Sequence, residues 1–112
     1  MFGWTGTTLR VDLTKGTITR EATDLELAHD YLGARGMGGK IMIDEVAPDT
    51  DALSPANKLI FSPGPLTGTF APSAGRFEVV TKAPLNNVIA GSNSGGAFGP
   101  ELKYAGYDAL II

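Results

Sequence analysis

RFEVVTKAPLNNVIAGSNSGGAFGPELKYAG, residues 76–106, decides how the rest of the chain is read. It predicts a strand, a turn, a return strand, a glycine-rich corner and a helix. In the first strand Phe77, Val79 and Thr81 lie opposite Arg76, Glu78 and Val80. Asn86-Asn87 falls in the connection, and residues 88–92 return. The corner is Asn93-Ser94-Gly95-Gly96. Asn93 or Ser94 is expected to cap the helix, and the two glycines let a ligand come close to bare backbone. The helix runs from about Gly96 to Ala105, with Phe98, Leu102 and Ala105 on one face. Pro100 lies near its first turn, where a missing N–H does little harm, and Gly106 ends it.

A helix start carries unpaired N–H groups and a partial positive charge, which can hold a phosphate without a lysine-rich pocket. Arg76, at the head of the hairpin, adds a planar guanidinium able to make paired hydrogen bonds to an oxyanion. The expectation is that Arg76 and the Asn93–Gly96 corner meet on one anion. The same residues also read as an ordinary strand-to-helix turn with Arg76 on the surface, since the stretch matches no nucleotide fingerprint.

Upstream, TTLRVDL at residues 7–13 alternates, with Leu9, Val11 and Leu13 on one side, as in a half-buried strand. Thr14-Lys15-Gly16 is a tight turn, and residues 17–21 return, so the chain opens on a β-hairpin. Asp24 caps a helix reaching about Leu32, which Gly33 stops. Residues 32–39, LGARGMGG, have the wrong spacing for a dinucleotide loop and follow no strand. They read as a flexible junction into a second helix over 39–46, and Arg35 pointing at an anion is the lesser alternative. Asp44, Glu45, Asp49 and Asp51 form a negative, solvated skin without metal-ligand spacing.

KLIFS, residues 58–62, is a short buried strand. The segment 63–76, PGPLTGTFAPSAGR, is nearly free of charge but restrained by Pro63, Pro65 and Pro72. Its composition suits packing against another part of a protein or a flat ligand. Residues 107–112 form an apolar strand. An apolar strand ending at Ile112 invites edge pairing, so the expectation is a piece of a longer polypeptide.

The 112 residues fit one domain, and 43% hydrophobic content suffices for a core. The net charge of −3 argues against a nucleic-acid surface. No apolar run is long enough to span a bilayer, and residues 1–10 lack a signal-peptide core, which makes a cytoplasmic location the expectation. The absence of cysteine excludes disulfides, thiolate zinc sites and cysteine-ligated iron–sulfur clusters within these residues. The one histidine, His29, reads as a solvent-facing helix residue.

LRVDLTKGTI, YLGARGMGGK, LSPANKLIFSPGPLTGTFAPSAGR, VVTKAPLNNVIAGSNSGGAFG and ELKYAGYDALII occur here in that order. Together they resemble the N-terminal domain of the tungsten-containing aldehyde ferredoxin oxidoreductases over essentially the whole chain. The resemblance implies an α+β fold: an antiparallel β-rich base with a few short helices, forming half of a pseudo-twofold duplicated domain. On it would lie a tungstopterin, two pterin dithiolenes holding tungsten or, in some relatives, molybdenum. Later domains would add a [4Fe-4S] cluster and the substrate cavity.

The implied chemistry is aldehyde plus water to carboxylic acid, with two electrons passed to ferredoxin. The implied partners are the enzyme's remaining domains, ferredoxin and the aldehyde, with neither nucleic acid nor membrane; a homo-oligomer is compatible. By the same resemblance Arg76 matches an arginine on a pterin phosphate. Asn93 matches an asparagine whose backbone oxygen is a ligand to a Mg2+ bridging the phosphates, Gly95 a glycine that admits the cofactor, and Ser94 is adjacent. The cluster cysteines and the family's second phosphate segment are absent, so 112 residues alone are not expected to turn over aldehyde. The competing reading is a non-catalytic short paralogue serving as a pterin-binding or subunit-interaction module.

Overall fold

Alternating side chains, closed by a turn that Asp12 organises, build the first hairpin. β1 (Thr7–Asp12) and β2 (Thr17–Ala22) pair antiparallel, with Leu9 opposite Arg20. Asp12 Oδ1 accepts from the backbone N–H of Thr14 and Lys15, and Gly16 takes a φ of 67°. The computed structural model describes residues 2–112. After the hairpin come α1 (Leu25–Tyr31), α2 (Ala34–Glu45), β3 (Leu59–Pro63), β4 (Phe77–Lys82), β5 (Ile89–Ser94), α3 (Phe98–Tyr104) and β6 (Ala109–Ile111). As the alternation and caps predict, Asp24 caps α1 through the N–H groups of Glu26 and Leu27.

The six strands form one sheet in the order β2-β1-β6-β3-β4-β5. Every pairing is antiparallel except β1 with β6, which is parallel. The expected α+β class holds, with this parallel pair inside a mostly antiparallel base.

The core lies between one sheet face and α2: Met37, Ile41, Met42 and Val46 pack with Ile60, Val80, Ala109 and Ile111. Here the structure departs from the sequence reading. Residues 34–39 are not a flexible junction but the first turns of α2. Glycine in that helix serves close approach: a Cβ at Gly38 would stand 2.7 Å from Val80 Cγ2. The helix therefore lies tight on β4, and burial outweighs the poor helix propensity of glycine.

The register also settles which face is the core. Thr8 and Arg10 pair with Ala109 and Ile111, so they share the α2 face, and the Leu9–Val11 stripe lies on the other. Leu13, expected in that stripe, falls beyond β1 and is exposed. On the α2 face Arg10 donates to Glu45 and Glu21, and Lys58 also reaches Glu45. Glu45 is thus a tie between α2 and β1 rather than part of a solvated skin. The Arg10 pair holds the Glu45 carboxyl below the usual carboxylate range.

The opposite face carries Leu9, Phe61, Val79 and Leu110, all half-buried, and an exposed Leu59. α3 covers one end of it: the Phe98 ring lies 5.5 Å from Phe61 and 4.8 Å from Phe77. No helix among the described residues is long and apolar enough to cross a membrane.

Candidate anion-binding site at the β4–β5 hairpin

β4 and β5 pair so that Glu78 stands opposite Asn93 and Phe77 opposite Ser94. The hairpin that sets this register turns at Asn87, which adopts φ 60° and donates its N–H to the Ala83 carbonyl. Because side chains alternate along a strand, Glu78 and Asn93 share one face and Ser94 points to the other. Arg76 enters just before β4 and donates from Nη1 to Asn93 Oδ1. Asn93 Nδ2 in turn donates to Glu78 Oε2 at 2.9 Å. The structure therefore brings Arg76 and Asn93 into direct contact and turns the Ser94 side chain away from both.

Gly95 and Gly96 follow the strand and are exposed. Gly96 has a φ of 95°, and a Cβ on either would meet no heavy atom within 4 Å. The backbone there is bare and open.

The helix half of the expected cradle differs. Asn93 and Ser94 end β5 instead of capping α3. The N-cap is Ala97, in helical conformation and without a side-chain cap bond, and Glu101 sits in the first turn. A carboxylate there opposes an anion. The structure thus centres the positive potential on Arg76, not on the helix start.

The neutral segment 64–75 is ordered by its own contacts. Thr67 is buried; its Oγ1 accepts from the Gly64 N–H at 3.0 Å and donates to the Arg76 carbonyl at 2.9 Å. Gly68 N–H donates to the Ala74 carbonyl, and the Tyr104 hydroxyl donates to the Gly68 carbonyl. This web fixes the backbone that delivers Arg76, while Leu66 and Phe70 stay exposed.

Sequence reading leaves Glu78 out of the site and gives Arg35 only as a lesser anion contact. Arg35, from the first turn of α2, donates from Nε to Glu78 Oε1 at 2.7 Å, and its Nη2 forms an ion pair with the same oxygen at 2.6 Å. Glu78 itself is 2% exposed. The signal for Glu78 was a lone carboxylate among Phe77, Val79 and Val80. Nothing local announces that Arg35 reaches it from 43 residues away. Two guanidiniums against one carboxylate leave a positive excess at the surface. His29 is exposed, with Asp30 as its neighbour, and no group of three or more metal-ligating His, Cys, Asp or Glu residues exists among the described residues.

The class of protein is thus an α+β domain with one mostly antiparallel six-stranded sheet, on whose β4–β5 edge an exposed guanidinium stands beside bare backbone. A family model for the aldehyde ferredoxin oxidoreductase N-terminal domain matches residues 8–112, and the chain belongs to that family. It is 55% identical over all of its 112 residues to a tungsten-containing aldehyde ferredoxin oxidoreductase of Pyrococcus abyssi, covering 18% of that protein. It is 33% identical over 115 aligned positions to the WOR-like subunit of an aliphatic sulfonate oxidoreductase of Pyrococcus furiosus, again covering 18%.

Among solved structures it resembles the active-site complex BamBC of benzoyl coenzyme A reductase with bound 1,5-dienoyl-CoA. The TM-score is 0.95 at 47% identity, over 98% of this chain and 17% of that one. The chain thus spans under a fifth of the length of these relatives, which are oxidoreductases.

Proposed function

We propose that this chain is the pterin-cradling domain of a tungsten or molybdenum bis-pterin oxidoreductase that oxidises aldehydes to carboxylic acids and passes the electrons to ferredoxin. The observation that carries the reading is the Arg76–Asn93 contact beside Gly95-Gly96. There an exposed guanidinium is held by Asn93, and a Cβ on either glycine would meet no heavy atom within 4 Å. The residues fit such a group: Arg76 offers charged donors, and the two glycines offer room. The bound tungstopterin would supply the two-electron chemistry at its metal.

The residues of this chain bind and orient. In this proposal Arg76 donates to a pterin phosphate, and the backbone of Ser94 and Gly95 lies beside it. The Asn93 backbone carbonyl, on the edge strand β5, would help hold a Mg2+ that neutralises the phosphate charge. The half-buried Leu9, Phe61, Val79 and Leu110 suit cover by further domains of the same enzyme, including the one that would carry a [4Fe-4S] cluster. A cytoplasmic location belongs to the same proposal.

The test is Arg76→Ala in the protein expressed from its complete gene, read as tungsten, molybdenum and pterin content. Loss of a charge-assisted contact is worth about 1.5–3 kcal/mol, a weakening of roughly 10- to 150-fold. Unchanged occupancy would remove Arg76 from the site and the reading with it.

A further inference from the structure

Glu78 is a fully buried carboxylate in an apolar strand, and holding a phosphate gives it no direct task. Its contacts show what it does. The two ends of an amide are nearly the same in shape, so Asn93 could present either its oxygen or its NH2 to Arg76. An ionised carboxylate only accepts, so Oε2 takes Asn93 Nδ2 and leaves Oδ1 facing Arg76. Oε1 is occupied separately by Arg35, through the Nε–H hydrogen bond and the Nη2 ion pair. Gly91 makes room for this: a Cβ there would stand 2.8 Å from Glu78 Oε1 and 2.9 Å from Arg35 Nε.

We infer that Glu78, held by Arg35, is a positioning residue: it sets the Asn93 amide so that Oδ1 aims the Arg76 guanidinium at the bound anion. The chain of contacts runs from α2 through β4 to β5 and back to the residue before β4. The four groups hold one another by contacts within the chain, so part of the guanidinium's freedom is spent before it meets the anion. A neutral amide at position 78 could donate as well as accept. It would no longer hold Asn93 one way round, and it would set a donor against Arg35.

This inference rests on the reading under Proposed function. Its test is the rate at which pterin and tungsten are lost during dialysis of the protein expressed from its complete gene. Four forms are compared: the parent, Arg76→Ala, Glu78→Gln and the double variant. Glu78→Gln alone is expected to speed loss at least about tenfold, the usual scale for removing a group that orients a ligand-holding residue. In the Arg76→Ala background it is expected to add less than about twofold, because Glu78 acts through Arg76.

Equal acceleration in both backgrounds, or none in the parent, overturns the inference while leaving the function reading intact. An Arg76→Ala protein that keeps its pterin sinks both, and is told apart by that single variant. If Glu78→Gln does not fold, Arg35→Ala in the same two backgrounds is judged by the same criterion, the Arg35 side chain being 70% exposed. Arg35→Lys, which keeps the charge, is then expected to retain more pterin than Arg35→Ala.

Discussion

Two carboxylates, Asp108 and Glu78, are buried to the same degree, each 2% exposed, and they end in different places. Asp108 is closed. Its Oδ1 accepts from the Thr5 N–H and Lys103 Nζ, and its Oδ2 from the Gly6 N–H and Thr23 Oγ1, all between 2.8 and 2.9 Å. Its cation, Lys103, is itself nearly buried and also donates to the Gly3 carbonyl. Glu78 is open. Its cation, Arg35, stands mostly in solvent, and its other oxygen leads through Asn93 to the exposed Arg76. A network whose every donor ends inside the chain holds the fold. One whose last guanidinium faces outward prepares a surface.

The contrast is broken hardest at Asp108. Asp108→Asn leaves Lys103 buried beside a neutral group and is expected to cost about 3–5 kcal/mol, the range for breaking a buried ion pair. Denaturant unfolding checks it; a loss below about 1 kcal/mol would mean that the cluster is not closed. The pH dependence has a defined sign. Burial pushes the Asp108 carboxyl up, but the hydrogen bonds from Lys103, the Thr5 N–H, Thr23 and the Gly6 N–H outweigh it and hold the group below its ordinary 3.8.

A folded pKa below the unfolded one means that the charge on Asp108 stabilises the fold above about pH 4. That contribution fades as pH falls through the folded pKa. Unfolding free energy measured from pH 6 to pH 2 is therefore expected to fall less steeply in Asp108→Asn than in the parent. Some slope remains in the variant, because Glu45 is also held low by Arg10.

Two glycine substitutions sharpen the comparison at smaller cost. Gly38→Ala drives a methyl into Val80 Cγ2 and Cβ, at 2.7 and 3.1 Å, inside the packed core. Overpacking there costs about 1–3 kcal/mol, offset by roughly 1 of helix propensity. The expected net loss is up to about 2 kcal/mol. Gly91→Ala meets equally short distances, but its neighbours are the ends of Arg35 and Glu78. The mostly exposed Arg35 can swing away, so the expected loss of stability is under about 1 kcal/mol. Its effect is expected on pterin retention instead. A Gly91→Ala protein as destabilised as Gly38→Ala would make the Glu78 network a part of the core.

How far the chain could be read in advance follows the reach of each interaction. The first hairpin, the Asp24 cap and the β4–β5 hairpin rest on residues close in sequence, and the alternation and turn chemistry at Gly16 and Asn86-Asn87 show them. α2 was misread at its start because Gly36, Gly38 and Gly39 argue locally against a helix, while the close contact that calls for Gly38 is with Val80, far along the chain. The Leu9–Val11 stripe was legible as a face, but which face meets α2 is set by the parallel β1–β6 pairing, nearly the length of the chain away. The Arg76–Asn93 meeting was within reach because one hairpin joins the two residues. The Arg35–Glu78 link was not, since it joins a helix to a strand across the core edge.

The smallest expected effect on stability is the one that most isolates the open region. Arg76 is exposed, and its Nη1 bond to Asn93 is its one side-chain contact among the hydrogen bonds of the described residues. Removing such a surface contact changes unfolding free energy by about 0.5 kcal/mol or less. Arg76→Ala is therefore expected to unfold at the parent's denaturant midpoint when measured without cofactor, while its pterin content falls sharply. Asp108→Asn should show the reverse order, with stability lost before any site-specific effect can be read. If Arg76→Ala instead destabilised the cofactor-free protein by more than about 1 kcal/mol, the guanidinium would be holding the hairpin together. The outward-facing network would then be a second closed one.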